Sequence, residues 1–209
     1  HVIIALVALM CIASVELFKI KIKKSNYQEK VKAARLMEKS LKTLRKYRVD
    51  KIGPIDSEVD PVDSGIIGTL ISPITSNSGV REAKIATVNP NWAGVMVDLF
   101  IKAGVEKGDT VAVGFSGSFP ALNIAVLSAA QILELKTIAI SSASASTWGA
   151  NIPDFSWLDM ERILNENNIL ATRSVAASLG GSQDRAVGMS KDGKEKLRSI
   201  IERNEVEFI

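Results

Sequence analysis

The sequence predicts an α/β fold built on a doubly wound parallel sheet, on three observations. Short apolar runs recur at residues 110–113, 136–140, 173–177 and 206–209. Between them lie stretches with helical apolar spacing and clear start and stop signals. Each of the first three runs ends in a loop rich in serine and glycine. Strands alternating with helical crossovers pair in parallel, which gives a Rossmann-like sheet whose ligands sit beyond the carboxyl ends of the strands.

Ahead of that region the chain divides into three further parts. Residues 1–24 begin with an almost continuous apolar run to Phe18, broken only by Ser14 and Glu16, and continue into Lys19, Lys21, Lys23 and Lys24. This predicts an N-terminal transmembrane helix, a single-pass anchor in contact with membrane lipid. Lysines after the span favour a cytoplasmic domain, but a stronger basic cluster upstream would reverse that orientation. Residues 25–52 read as a basic amphipathic stalk helix, with Val31, Ala34, Met37, Leu41 and Leu44 along one stripe. The stripe either packs on the domain or a twin, or lies on lipid headgroups. Lacking Trp and Phe, it favours the stalk.

Residues 53–88 form a turn-rich arm, punctuated by Gly-Pro, Asp-Pro, Ser-Gly and Ser-Pro. Its hydroxyl cluster, Ser72 to Gly79, reads first as a polar loop and second as part of a site. Residues 89–209 form the α/β domain, which the chain's last residues, Glu207-Phe-Ile209, leave truncated inside a strand. In that domain Asn89-Pro90 opens a helix that Gly104 stops, with an apolar face of Trp92, Val95, Met96, Leu99 and Phe100. Ser156-Trp-Leu-Asp159 has the form of a capping box, and Ser190 caps the last helix.

Charge and composition exclude several functions. Residues 19–51 carry 13 basic and 3 acidic side chains, whereas residues 52–209 carry 13 basic and 19 acidic ones. An acidic globular part gives nucleic acid no electrostatic footing. The single cysteine, Cys11, excludes an intrachain disulfide, and the single histidine, His1, leaves no Ser-His-Asp triad in the globular part. No metal site and no cofactor motif is found. Asp154, Asp159 and Glu161 lack the spacing of an oxygen-ligand loop, and Asp159 already has a capping place.

The candidate site gathers the three loops. Gly114, Ser116, Gly117 and Ser118 lie where the first strand turns into the helix at residues 120–133. There, first-turn N–H groups and two hydroxyls suit an anion or a carbonyl oxygen. Ser142, Ser144 and Ser146 supply the second loop, and Ser178, Gly180 and Gly181 the third. Arg173, Asp184 and Arg185 are the charges nearest the third loop. Arginine pairs with carboxylates through two hydrogen bonds, although Asp184 and Arg185 also suit a local ion pair. Ser116 or Ser118 as nucleophile would make a histidine-independent hydrolase or transferase. The second glycine of a nucleophile elbow is missing, however, and the one lysine that the sequence sets near the three loops, Lys136, starts a strand at the opposite edge. Neither phosphate-loop pattern is present. The serine-rich loops resemble sugar isomerase (SIS) domains in composition only. Trp148 and Trp157, flanking the second loop, suit either ligand stacking or burial.

The strings Gly114-Phe-Ser-Gly-Ser-Phe-Pro-Ala-Leu-Asn123, Ser146-Thr-Trp-Gly-Ala-Asn151, Trp157-Leu-Asp-Met-Glu161 and Arg173-Ser-Val-Ala-Ala-Ser-Leu-Gly-Gly181 resemble the bacterial poly-γ-glutamate system proteins. The likeness runs from about Ile55 to Ile209. It implies a membrane-associated component of capsule-polymer synthesis or export, with poly-γ-glutamate or a glutamate-like ligand and other membrane subunits as partners. It also implies an extracytoplasmic domain, because members tend to carry a basic segment before the anchor. No catalytic residues carry over from it. The expectation is therefore a carboxylate-binding site at the three loops.

Overall fold

A computed structural model describes residues 2–18 and 25–209. The four sheet strands form where the apolar runs predict them, as β1 (Thr110–Ser116), β2 (Lys136–Ser142), β5 (Ser174–Ser178) and β6 (Glu207–Phe208). All pair in parallel, in the order β1-β2-β5-β6. The first strand does not break at Gly114. Its ladder continues through Gly114↔Ile140 to Ser116↔Ser142, since glycine and serine offer the same backbone donors and acceptors as any other residue. A two-stranded antiparallel pair, β3 (Asn151–Ile152) and β4 (Phe155–Ser156), stands apart from the sheet.

The crossovers are helical. α5 (Pro120–Ile132) joins β1 to β2, α6 (Trp157–Glu166) precedes β5, and α7 (Lys191–Arg203) precedes β6. The capping box forms as its sequence requires. Ser156 Oγ accepts from the Asp159 N–H while the Asp159 carboxylate accepts from the Ser156 N–H. Ser190 Oγ accepts from the Gly193 N–H at 3.0 Å at the start of α7.

The winding differs from expectation. A doubly wound sheet needs a reversal of strand order, and among the described strands the order advances in one direction only. Crossovers of one hand that step one way stack their helices on one face. Burial agrees, because Phe115 and Ala139 pack into the helical core while Ile138, Ile140 and Val175 on the sheet are 48%, 43% and 56% exposed.

The helical core also contains α2 (Tyr27–Tyr47), which buries Met37, Leu41 and Leu44 against α4 (Asn91–Lys102) and α5. Of the two readings of its stripe, packing on the domain is the one the structure contains. A π-helical turn, Arg48–Ile52, ends this helix. Tyr47 stacks on Phe155 at 5.9 Å, and Phe115 meets the fully buried Trp157 edge-on at 5.7 Å. On α4 the buried positions are Ala93 and Val97, whereas Val95 and Leu99 face solvent. The small residues turn inward because α2 passes close, with Gly94 lying against Lys30.

The single-pass anchor is corrected. Helix α1 runs over Val2–Leu17, 16 residues. At 1.5 Å per residue it rises about 24 Å, against a hydrocarbon core of about 30 Å. Among the described residues no helix is long and apolar enough to cross a membrane. The extracytoplasmic placement of the domain rested on that anchor and goes with it. The lysines at 19, 21, 23 and 24 and His1 lie outside the described residues.

One buried acid links the sheet to its helices. Glu161 on α6 accepts from the Ser174 hydroxyl at 2.9 Å and from its N–H at 3.1 Å. Ser174 bonds Ser141 at 2.6 Å, and Ser141 accepts from Trp157 Nε1 at 3.1 Å. Burial pushes the Glu161 carboxyl up to about 7 despite these bonds. Between its ordinary value and about 7, the folded chain keeps a proton that the unfolded chain has released. Stability therefore falls as pH rises through that window, by up to about 3 kcal/mol. In urea titrations at pH 5 and pH 8, Glu161→Gln removes this part of the difference.

Candidate functional site

The carboxyl ends of β1, β2 and β5 bring the three loops together. Loop one packs on loop two with almost no side chains between them. A Cβ on Gly149 would lie 2.8 Å from Gly117 O and 2.9 Å from Ser118 Cα, so only glycine lets these backbones approach. The Ala150 N–H donates to Gly117 O at 2.8 Å, and the Ser146 N–H donates to Ser118 Oγ at 3.0 Å. Loop three closes on loop two through Gly180, at φ +73, whose missing side chain leaves room for Ser142 and Ser144. The N–H groups of Ala143 and Ser144 donate to Ser178 O and Leu179 O.

The arm is the fourth wall. Its hydroxyl cluster runs beside loop two as an added edge. The Ser76 N–H donates to Ala145 O at 2.9 Å, the Thr147 N–H donates to Asn77 O at 2.9 Å, and Thr75 bridges Ala145 in parallel. Asn151 ties the arm further, its amide donating to Thr69 O and to Thr75 Oγ1. Ser76 also lies against Gly181 of loop three. Residues 72–79 thus pack along loops two and three, as one wall of the candidate site.

The arm then enters a short helix, α3 (Arg81–Thr87), which delivers Lys84. This residue is 3% exposed. Its ammonium donates to Ser118 O at 2.6 Å and to Ser146 Oγ at 2.8 Å, and it sits 3.6 Å from the centre of the Phe119 ring. Burial pushes it down to about 8. Among the described residues no carboxylate pairs with it, so a buried cation is held by neutral oxygens and a ring. Sequence reasoning missed Lys84. It stands 62 residues from Ser146, and nothing in Arg81-Glu-Ala-Lys84-Ile marks it.

Hydroxyl positions follow from this packing. Ser116 is exposed, and its hydroxyl donates to Ser118 Oγ at 3.0 Å while accepting from the Ser118 N–H at 3.1 Å. Ser118 Oγ therefore accepts two hydrogen bonds. Helix α5 begins beside it with Pro120, which has no N–H, and the N–H groups of Leu122 and Asn123 in its first turn donate to Phe119 O at 3.0 and 3.2 Å. Ser144 Oγ is buried without a partner. Ser178 Oγ donates to Asp184 Oδ1 at 2.7 Å, and the Gly180 N–H donates to Ser178 Oγ.

Two predicted members of the site stand elsewhere. Gly114 lies inside β1, within the ladder and short of the turn. Arg173 precedes the first residue of β5, at the end of that strand away from the loops, and its guanidinium donates to Asn204 O. Asp184 and Arg185 form no ion pair with each other. Arg185 is exposed on loop three, and its guanidinium has no partner among the described residues. Of the two tryptophans, Trp157 belongs to the core, and the half-buried Trp148 lines a cavity on the arm side of loop two.

Chemically, the arrangement favours holding a negative group over cutting a bond. Lys84 reaches a hydroxyl only at Ser146, which is itself buried, whereas the accessible hydroxyls at Ser116 and Ser118 lack a base in contact. No family model, curated protein or solved structure matches the chain.

The close approach of loops one and two is directly testable. Gly149→Ala forces its Cβ against three backbone atoms and should destabilise the fold by about 1–3 kcal/mol. Gly114→Ala meets nothing within 4 Å. It should stay within about 0.5 kcal/mol of wild type. Urea unfolding of the two variants checks the contrast.

Proposed function

We propose that the chain binds a carboxylate ligand at the corner formed by Ser116, Ser118 and the start of α5. The ligand of choice is γ-linked glutamate, and the chain is a component of a system that makes or exports that polymer. One observation carries the binding role, namely the buried Lys84 ammonium that has no carboxylate partner among the described residues. Buried charges are ordinarily paired, and a ligand anion at the corner supplies the missing partner. The exposed Arg185 on loop three offers a second, paired contact to a carboxylate. The choice of polymer rests on the sequence resemblance, and its partners are then the polymer and the other subunits of that system.

Isothermal titration with oligo-γ-glutamate tests this reading. Saturable binding is expected, weakened roughly tenfold or more by Lys84→Met and several-fold by Arg185→Ala. Affinity should fall as pH rises past about 8, where Lys84 loses its charge, and Lys84→Met should flatten that profile. Unchanged affinity in both variants, or tighter binding of a sugar phosphate than of the oligomer, overturns it.

A second reading, a histidine-independent hydrolase or transferase with Ser118 as nucleophile, draws on Lys84, which burial pushes down to about 8 and which contacts Ser118 through its carbonyl oxygen rather than its hydroxyl. Shortening of poly-γ-glutamate by the wild-type chain but not by Ser118→Ala would replace the binding role with this one.

A further inference from the structure

The two outer strands of the sheet are built differently. At one edge β6 is two residues long and carries Glu207, a charge of the kind that keeps an edge from pairing with other chains. At the other edge β1 is seven residues long, Thr-Val-Ala-Val-Gly-Phe-Ser, with no charge and no proline. Its register with β2 runs unbroken from Thr110 to Ser116, so no bulge turns it aside.

The outward backbone groups of β1 follow from its bonds on the inner side. The Lys136 N–H donates to Asp109 O at 2.8 Å, and the Ser142 hydroxyl lies 3.5 Å from Phe115 O, so the odd-numbered residues turn toward β2. Successive residues of a strand direct their N–H and C=O groups to opposite sides, which leaves those of Thr110, Ala112 and Gly114 facing out. Among the described residues none of these groups has a partner. The Ser116 carbonyl, next in the series, accepts from the Asn123 side-chain amide at 2.9 Å rather than from a strand. All four residues are exposed. A long, uncharged edge with free donors and acceptors is a template for another strand.

We propose that β1 is an interface between two copies of this chain, paired antiparallel about a two-fold axis at Val113. In that register Ala112 lies opposite Gly114 of the second copy, and Thr110 lies opposite Ser116. The opposed residues exchange their outward N–H and C=O groups, and only small side chains meet. The strand therefore complements itself, as a closed two-fold interface requires, and without charge it meets no repulsion from its own copy. The two sheets become one across the axis, with their helices on the same face. On that face α4, which leads into β1, leaves the apolar Val95 and Leu99 exposed. The inference uses backbone groups of β1 and does not depend on what binds at the three-loop corner. One strand pair buries less than the roughly 1,200 Å² of a stable interface, so the dimer forms reversibly, at micromolar concentrations and above.

The test is sedimentation velocity of the whole chain over roughly 1 to 500 μM, where a reversible monomer–dimer equilibrium is expected. Ala112→Pro removes an outward N–H and spares the ladder to β2, so it should raise the dissociation constant at least about tenfold. If that variant fails to fold, Ala112→Lys combined with Gly114→Lys takes its place. A Cβ on Gly114 meets nothing within 4 Å, and the pairing sets the introduced charges directly opposite each other, so the same loss is expected. Register is read by a crosslink. At the axis Val113 faces its own copy in a non-hydrogen-bonded pair, about 4.5 Å between Cα atoms, which a disulfide spans. Val113→Cys in a Cys11→Ser background should give a covalent dimer with oxidised glutathione. A monomer throughout, association unchanged in the β1 variants, or no crosslink at Val113 overturns the proposal. Association through the exposed, apolar α1 gives the second of these outcomes.

Discussion

A lysine ammonium buried between Ser118 and Ser146 holds three separate stretches of chain in one place. Its donors reach a backbone oxygen of the first loop and a hydroxyl of the second, and its own helix closes the arm. The glycines at 117 and 149 let the two loops touch, and the arm's ladder to Ala145 and Thr147 brings α3 within reach. Remove the ammonium, and Ser118 O and Ser146 Oγ lose a charged donor inside a nearly water-free space, where replacement partners are scarce. The corner at the start of α5 thus owes its shape to a residue from outside the sheet.

The sheet itself explains why the arm is needed. Strands added in one direction place their helices on one face, so the strand ends are walled by helices on that side only. The irregular segment between α2 and α4 supplies the remaining wall by pairing part of its backbone with loop two, through Gly68, Thr69, Ser76 and Asn77. Asn151 acts there as a backbone surrogate, accepting from the Thr69 N–H and donating to Thr69 O. The same folding of the arm against the π-helical turn forms the open cavity lined by Arg48, Asp56, Asp60 and Trp148.

Much of this was legible in the sequence, for local reasons. Strand positions, the capping box at Ser156 and Asp159, and the cap at Ser190 depend on neighbours within four residues, and all appear where their patterns place them. The three loops are legible because each follows its strand directly. Other features depend on pairing over long distances. Strand order decides which face is covered, and no pattern within Lys136 to Ile140 tells whether Ile138 will be buried. Lys84 and Ser146 carry no mark of each other across 62 residues. Arg173 misled because closeness in sequence to Ser178 places it at the opposite end of the same short strand. The apolar N-terminus misled because an apolar run to Phe18 followed by lysines matches a span in pattern, whereas the described helix, Val2–Leu17, is 16 residues long.

The position of Lys84 makes docking of the arm a proton-linked equilibrium. With the arm detached the ammonium is in water and keeps its ordinary value near 10.5, and with the arm seated it falls to about 8. Between those limits, seating the arm releases a proton into solvent and grows more favourable as pH rises. Below about pH 8 the charge must instead be carried inward. A buried cation can be relieved by a proton leaving or by an anion arriving, and either change favours the seated arm.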